Sequence, residues 1–137
     1  MELTRMVAAL RSRTKSLGLD EISEPEYVAL DFLVKHGRST VGEIQKELGV
    51  LPAQMSRMLR SLEDKDGRAL VECSINPDDR RKVDVEITDA GRAVYQQYRA
   101  QRLEMNVQFL KGLSSSDRDT FMRVVRSFRE EISKRFS

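Results

Sequence analysis

Between Ser39 and Ile87 the apolar period of the chain changes once, from a helical repeat to strict alternation, and few small folds accommodate that change. Ser39-Thr40-Val41-Gly42-Glu43 carries a capping box, in which Thr40 accepts from the backbone N–H of Glu43 and Glu43 reaches back to the N–H of Thr40. The short helix that follows, Val41 to Leu48, presents Val41, Ile44 and Leu48 and stops at Gly49. A further helix opens at Pro52 and runs to about Asp64, with Met55, Met58 or Leu59, and Leu62 inward. Two helices joined by a tight turn containing Gly form a helix-turn-helix. Ala69 to Ile75 then reads as a strand, and Asn76-Pro77-Asp78-Asp79 as a turn whose chemistry Pro and Asp supply. Lys82 to Ile87 alternates, placing Val83, Val85 and Ile87 on one face, so a β-hairpin closes the segment.

Helical patterns flank this core on both sides. Leu3, Met6, Val7, Leu10 and Leu17 fall at helical spacings in a first helix that ends near Gly18. Ser23-Glu24-Pro25 opens a second, with Tyr27, Leu30, Phe32, Leu33 and Val34 as its apolar face and Gly37 as its close. Thr88-Asp89-Ala90 caps a long helix reaching about Lys111, and Ser114-Ser115-Ser116-Asp117 caps a last one. That last helix sets Phe121, Val125, Phe128, Ile132 and Phe136 along one stripe.

With 137 residues the chain holds one domain and its appended helices. Its 39% hydrophobic content suffices for a core, and 24 Lys and Arg against 22 Asp and Glu leave a net charge of only +2. The basic excess lies in the C-terminal third, so total charge alone does not mark a nucleic-acid binder. A single cysteine, Cys73, excludes an internal disulfide framework, and a single histidine, His36, leaves no zinc site of the usual kinds. The apolar run Met6 to Leu10 is too short for a signal sequence or a membrane span, which points to a soluble intracellular protein. Neither a metal nor a cofactor is expected.

A helix-turn-helix followed by a charged hairpin is a winged helix, and the match extends further. Thr40-Val41-Gly42-Glu43-Ile44, Leu48-Gly49-Val50, Arg57, Leu62-Glu63, Asp78-Asp79-Arg80-Arg81 and Ile87-Thr88-Asp89-Ala90-Gly91 occur in that order. Together they resemble the MarR family of bacterial transcription regulators, over essentially the whole chain. The wing is the most specific element, Asp-x-Arg followed six residues later by Ile-Thr-x-Ala-Gly. The resemblance implies a mainly α fold with a small β-wing. It assigns residues 1–20 to an N-terminal dimerisation helix, 24–88 to the winged helix-turn-helix and 89–137 to C-terminal dimerisation helices. It also implies a homodimer on a pseudo-palindromic site, acting as a repressor in the cytoplasm at the nucleoid, and released by a small aromatic or amphipathic effector. The chain departs from the family pattern at Leu51, where a polar cap is usual, and at Ala53 and Gln54, where small hydroxylated residues are common.

Pro52, Ala53, Gln54, Ser56, Arg57, Arg60 and Ser61 form the expected exposed face of the second helix of the motif. An α-helix fits the major groove, where Gln pairs with adenine, Arg with guanine and Ala with a thymine methyl. Gln54 and Arg57 are accordingly the expected base readers, with Ser56 and Arg60 on the phosphate backbone and Thr40 among the DNA-binding residues. Arg80, Arg81 and Lys82 crown the hairpin and suit a narrow minor groove, Arg81 foremost by resemblance, with Asp79 positioning it. The plainer reading is a solvated face and a tip whose Asp78 and Asp79 cancel its charge. The stripes Leu3/Met6/Leu10 and Phe121/Val125/Phe128/Ile132/Phe136 either pack on one another within the chain or form a dimer core. The second is preferred, because a compact winged helix leaves little surface to bury both.

Cys73, mid-strand beside Glu72, reads as a packed thiol rather than a redox sensor. His36 reads as a helix-end residue favoured by the macrodipole, and Tyr95 and Tyr98 as core or dimer packing residues in preference to the lining of an effector pocket. No nucleophile motif, phosphate loop or metal cluster supports an enzyme. The competing function is a winged helix used for protein–protein contact without DNA.

Overall fold

A computed structural model describes Glu2, Arg5, Met6, Ala9 and residues 21–136. Glu2, Arg5, Met6 and Ala9 are helical; Leu3 and Leu10 of the expected first stripe lie outside the described residues, as does the side chain of Phe136. The chain forms two compact units, Met1–Arg99 and Ala100–Ser137. Five described helices and three strands run in the order α1 (Glu24–His36), β1 (Ser39–Thr40), α2 (Val41–Leu48), α3 (Pro52–Glu63), β2 (Val71–Ile75), β3 (Val83–Ile87), α4 (Asp89–Lys111) and α5 (Ser115–Phe136). Among them no helix is long and apolar enough to cross a membrane.

The helix starts follow the local chemistry. Ser23 and Glu26 exchange side-chain and backbone hydrogen bonds at the head of α1 (3.3 and 3.0 Å), and Thr40 and Glu43 do the same at the head of α2 (3.2 and 2.9 Å). Gly49 closes α2 in the left-handed conformation (φ 63°), which only glycine adopts at little cost. The sheet contains one strand more than the alternation predicts. Ser39 and Thr40 pair antiparallel with Val85 and Asp84, giving the order β1-β3-β2. Two residues are too few to show a period, so a pattern search does not register them. The strand expected from Ala69 begins instead at Val71. The Ala69 carbonyl accepts from the Thr88 hydroxyl (2.6 Å), and the Leu70 carbonyl accepts from the Thr88 N–H (3.0 Å).

Leu30, Leu33, Ile44, Met55, Leu62, Leu70, Val71 and Val85 are fully buried, so α1, α2, α3 and the hairpin share one core, joined by Val94 and Tyr95 of α4. The inward face of α1 is narrower than its apolar pattern suggests. Ala29, Leu30 and Leu33 are buried while Tyr27, Phe32 and Val34 are half-covered. On β3, Val83 stays 39% exposed because it lies at the hairpin tip, beyond the core. Asp84 is buried on the opposite face.

In the second unit, Ser114 caps α5 by accepting from the Asp117 N–H (3.1 Å). Arg118 donates to the carbonyls of Leu110 and Leu113, and the rings of Phe109 and Phe121 meet edge to face at 5.3 Å. Phe121, Val125, Phe128 and Ile132 remain exposed.

The start of α4 presses on the hairpin at Gly91. A Cβ built there would stand 2.1 Å from the Leu70 carbonyl oxygen and 2.8 Å from Ile87 Cγ1. Backbone, not a flexible side chain, blocks the space. Replacing Gly91 with Ala should therefore force the strand and helix apart and lower stability by about 2 kcal/mol or more. Urea unfolding of the variant beside an exposed control, Ala93→Gly, checks this; an unchanged midpoint for Gly91→Ala would contradict it.

Candidate nucleic-acid interface

Helix α3 is sided as its 3.6-residue period requires. Met55, Leu59 and Leu62 are buried, whereas Pro52, Ala53, Gln54, Ser56, Arg57 and Arg60 are exposed. The ambiguity between Met58 and Leu59 resolves to Leu59, with Met58 half-buried. Ser61 is a correction, for it turns inward rather than joining the exposed face. Its hydroxyl donates to Glu26 Oε2 (3.2 Å) and accepts from Lys65 Nζ (2.7 Å).

The hairpin tip is built by a residue the turn reading passed over. Asn76 Oδ1 accepts from the backbone N–H groups of Asp78 and Asp79 (2.9 and 3.0 Å), an Asx turn. Its Nδ2 donates to the buried Asp84 (2.9 Å), which ties the tip to β3. An Asn opening a turn was the available signal. Above it, the Arg81 guanidinium donates to both Asp79 oxygens (3.1 and 3.3 Å), and the Arg81 N–H donates to Oδ1 as well (3.1 Å). These bonds from the side chain and backbone of Arg81, aided by the charge of Lys82, hold the Asp79 carboxyl below the usual carboxylate range. Arg80, Arg81 and Lys82 are all exposed.

An open groove of about 600 Å³ runs between the head of α2, α3 and the hairpin, and Thr40, Ser56, Arg60, Arg81 and Lys82 line it together. Pro52, Ala53, Gln54, Arg57, Asp79 and Arg80 lie outside its lining. Three cations, two hydroxyl groups and one carboxylate, Glu63, surround the groove, with apolar Val41, Leu59 and Val83 among its lining.

The profile of the MarR family matches residues 22–83, the stretch from the head of α1 to the start of β3. Over these residues the chain is similar to the MarR family. It is 26% identical over 113 residues to YwhA, an uncharacterized HTH-type transcriptional regulator of Bacillus subtilis, with 78% of this chain and 79% of that protein covered. MdtR, an HTH-type transcriptional repressor of the same organism, is 27% identical over 103 residues, covering 75% of this chain and 64% of that one. The fold matches that of the PcaV transcriptional regulator from Streptomyces coelicolor, solved in complex with its natural ligand, at a TM-score of 0.64 and 20% identity. That match covers 90% of this chain and 89% of the other. The MarR family comprises transcriptional regulators, not enzymes.

Cys73, His36, Tyr95 and Tyr98 have structural surroundings. Cys73 is half-buried at the groove edge and its Sγ donates to Glu63 Oε1 (3.4 Å); burial and that carboxylate push the thiol up to about 11. It is therefore protonated, and unreactive as a nucleophile, at neutral pH. His36 ends α1 with its ring 4.4 Å from that of Phe32. Tyr95 is buried, stacks on Tyr27 at 5.4 Å and donates to Asp31 (2.5 Å); burial and the Asp31 carboxylate push its hydroxyl up to about 12. Tyr98 lies 4.9 Å from Tyr27 and donates to Glu24 (3.1 Å).

One buried acid anchors the end of α3. Glu26, capping α1 through Ser23, also pairs with Lys65 Nζ at 2.7 Å, and only 8% of its side chain is exposed. Burial alone would raise its pKa, but hydrogen bonds from Lys65 and Ser23 and the Lys65 charge outweigh burial and lower it. A carboxylate so held stabilises the fold above its unfolded pKa, and the contribution fades as pH falls through the lower, folded value. Replacing Lys65 with Met strands the charge and should cost about 2 kcal/mol at pH 7. The deficit should shrink toward pH 4 as Glu26 takes up a proton. Urea unfolding at both pH values tests this, and a deficit independent of pH would refute it.

Proposed function

We propose that this chain is a MarR-family regulator that binds duplex DNA as a homodimer on a pseudo-palindromic site, with α3 in the major groove and the hairpin in the minor groove. The groove shared by Thr40, Ser56, Arg60, Arg81 and Lys82 carries this reading, because it gathers helix and wing cations where a phosphate backbone would run. Pro52, Ala53, Gln54 and Arg57 then face base edges, while Arg80 and Arg81 reach the adjacent minor groove with Asp79 preorganising Arg81.

The exposed stripe Phe121, Val125, Phe128 and Ile132, with Met6 exposed near the chain start, supports the homodimer. Leu3, Leu10 and Phe136 would extend the same interface. A two-fold axis matches two half-sites about one DNA turn apart. In domain terms, residues 24–88 read DNA and residues 1–20 and 89–137 join the protomers. Repression is the expected outcome by analogy with MdtR, and release by a small aromatic or amphipathic effector by analogy with ligand-bound PcaV. The protein would act in the cytoplasm, at the nucleoid.

Titration of random duplex with rising salt tests the reading. Log affinity should fall linearly with log salt, at about −0.9 per phosphate contacted. Replacing Arg81 with Ala should weaken binding to all sequences alike and flatten that slope by about one unit per protomer. Absence of salt-dependent binding would favour a protein-contact module instead. For assembly, sedimentation equilibrium should show a dimer at micromolar concentration and a monomer for Phe128→Asp with unchanged helix content. A monomeric parent would refute the homodimer.

A further inference from the structure

Helix α3 begins at a residue that has no means of capping it. Leu51 holds the N-cap position and its side chain contains no acceptor. Gln54, three residues on, supplies the one side-chain bond at this end, its Oε1 accepting from the Leu51 N–H at 3.1 Å. Because the partner is an N–H donor, the amide atom facing it must be the oxygen, which fixes the orientation of the whole amide. Gln54 is exposed; one lone pair of Oε1 is engaged, whereas Nε2 keeps both its hydrogens for an outside partner. Turning the amide to align both Oε1 and Nε2 with adenine must preserve or give up the Leu51 bond that orients it, whereas donation from Nε2 leaves that bond untouched.

The neighbouring groups have the same polarity. Arg57 is donor-only and lies back along the helix, its Nε 3.4 Å from the Ala53 carbonyl; Ala53 offers a methyl. In the major groove, guanine presents two adjacent acceptors, N7 and O6, whereas adenine sets an N6 amino donor beside N7. A Gln whose amide turns freely suits adenine, and one whose oxygen is already engaged suits guanine, which asks only for donors.

We propose that Gln54 reads DNA through its Nε2 donor, selecting guanine over adenine at one symmetric pair of positions while its carbonyl holds the Leu51 N–H at the head of α3. The inference rests on the DNA-binding reading above and adds the base chemistry that Gln54 selects.

Selection from a randomised duplex library, followed by affinity measurements with modified bases, tests it on the full-length protein. The parent should favour guanine over adenine at that pair by roughly tenfold, and 2-aminopurine, which keeps N7 but lacks O6, should erase the preference. Gln54→Glu keeps an acceptor for the Leu51 N–H and puts negative charge at a helix N-terminus, so its melting temperature should not fall. It offers bases acceptors only, so its preference should move to cytosine, whose N4 donates. Its added charge weakens binding to every duplex, so ratios between sequences are the readout. Gln54→Ala should melt lower and show a flat profile at the pair.

Two results would overturn the inference alone. One is a parent that selects adenine and loses affinity when adenine is replaced by purine lacking the N6 amino group, the mark of bidentate pairing. The other is a Gln54→Glu profile identical to that of the parent. A parent without preference at any position would remove the base-reading role itself, and the inference with it.

Discussion

The junction between β3 and α4 is the constraint on which the first unit depends. Three of the bonds of Thr88 meet there. Its N–H donates to Leu70, its hydroxyl donates to Ala69, and the same hydroxyl oxygen accepts from the Gly91 N–H. These bonds bring the entry to β2, the exit from β3 and the first turn of α4 to one point. Gly91 permits it, since its Cα sits where any side chain would collide with the Leu70 carbonyl. The hairpin is thereby fixed at its base by backbone geometry, and Val71, Val85 and Val94 bury their side chains around that fixed point. A two-stranded hairpin alone is marginal in water. Pairing with β1 and clamping by Thr88 let this one carry an exposed, charged tip.

At the far end the same hairpin is ordered by polar groups. Asn76 joins the turn backbone to buried Asp84, and Asp79 holds Arg81 with both oxygens. An exposed pair of this kind adds little to folding. Its effect is on the Arg81 side chain, whose rotamer freedom is reduced before any partner arrives, and preorganisation of that kind lowers the entropic cost of binding. Asp79 therefore acts less as a negative charge cancelling the tip than as a mount for the cation beside it.

Much of this was legible in the residues. The capping pairs Ser23–Glu26 and Thr40–Glu43, the glycine stops at Gly37 and Gly49, and the alternation around Val85 mark their elements because each is a local signal. The family motif was legible too, and Asp79–Arg81 forms as the resemblance implied. What could not be read was non-local or too short to have a period. Nothing in the pattern of α1 indicates that Glu26 is buried, because its partners Ser61 and Lys65 are more than thirty residues away. The two residues of β1 show no alternation. Gln54 presented as a free amide, since an aliphatic residue at the helix start hid the half capping box that binds it. Val83 followed the alternation of its strand, but position beyond the core, not periodicity, decides its exposure.

Glu26 has a consequence for how the sequence can drift. One carboxyl group serves the first turn of α1 through Ser23 and the far end of α3 through Ser61 and Lys65. No exchange at position 26 leaves the other three residues indifferent, and none of the three varies without altering what is tolerated at 26. Natural variants of this chain should therefore inherit positions 23, 26, 61 and 65 as one block, with the acid lost only where the lysine is lost as well.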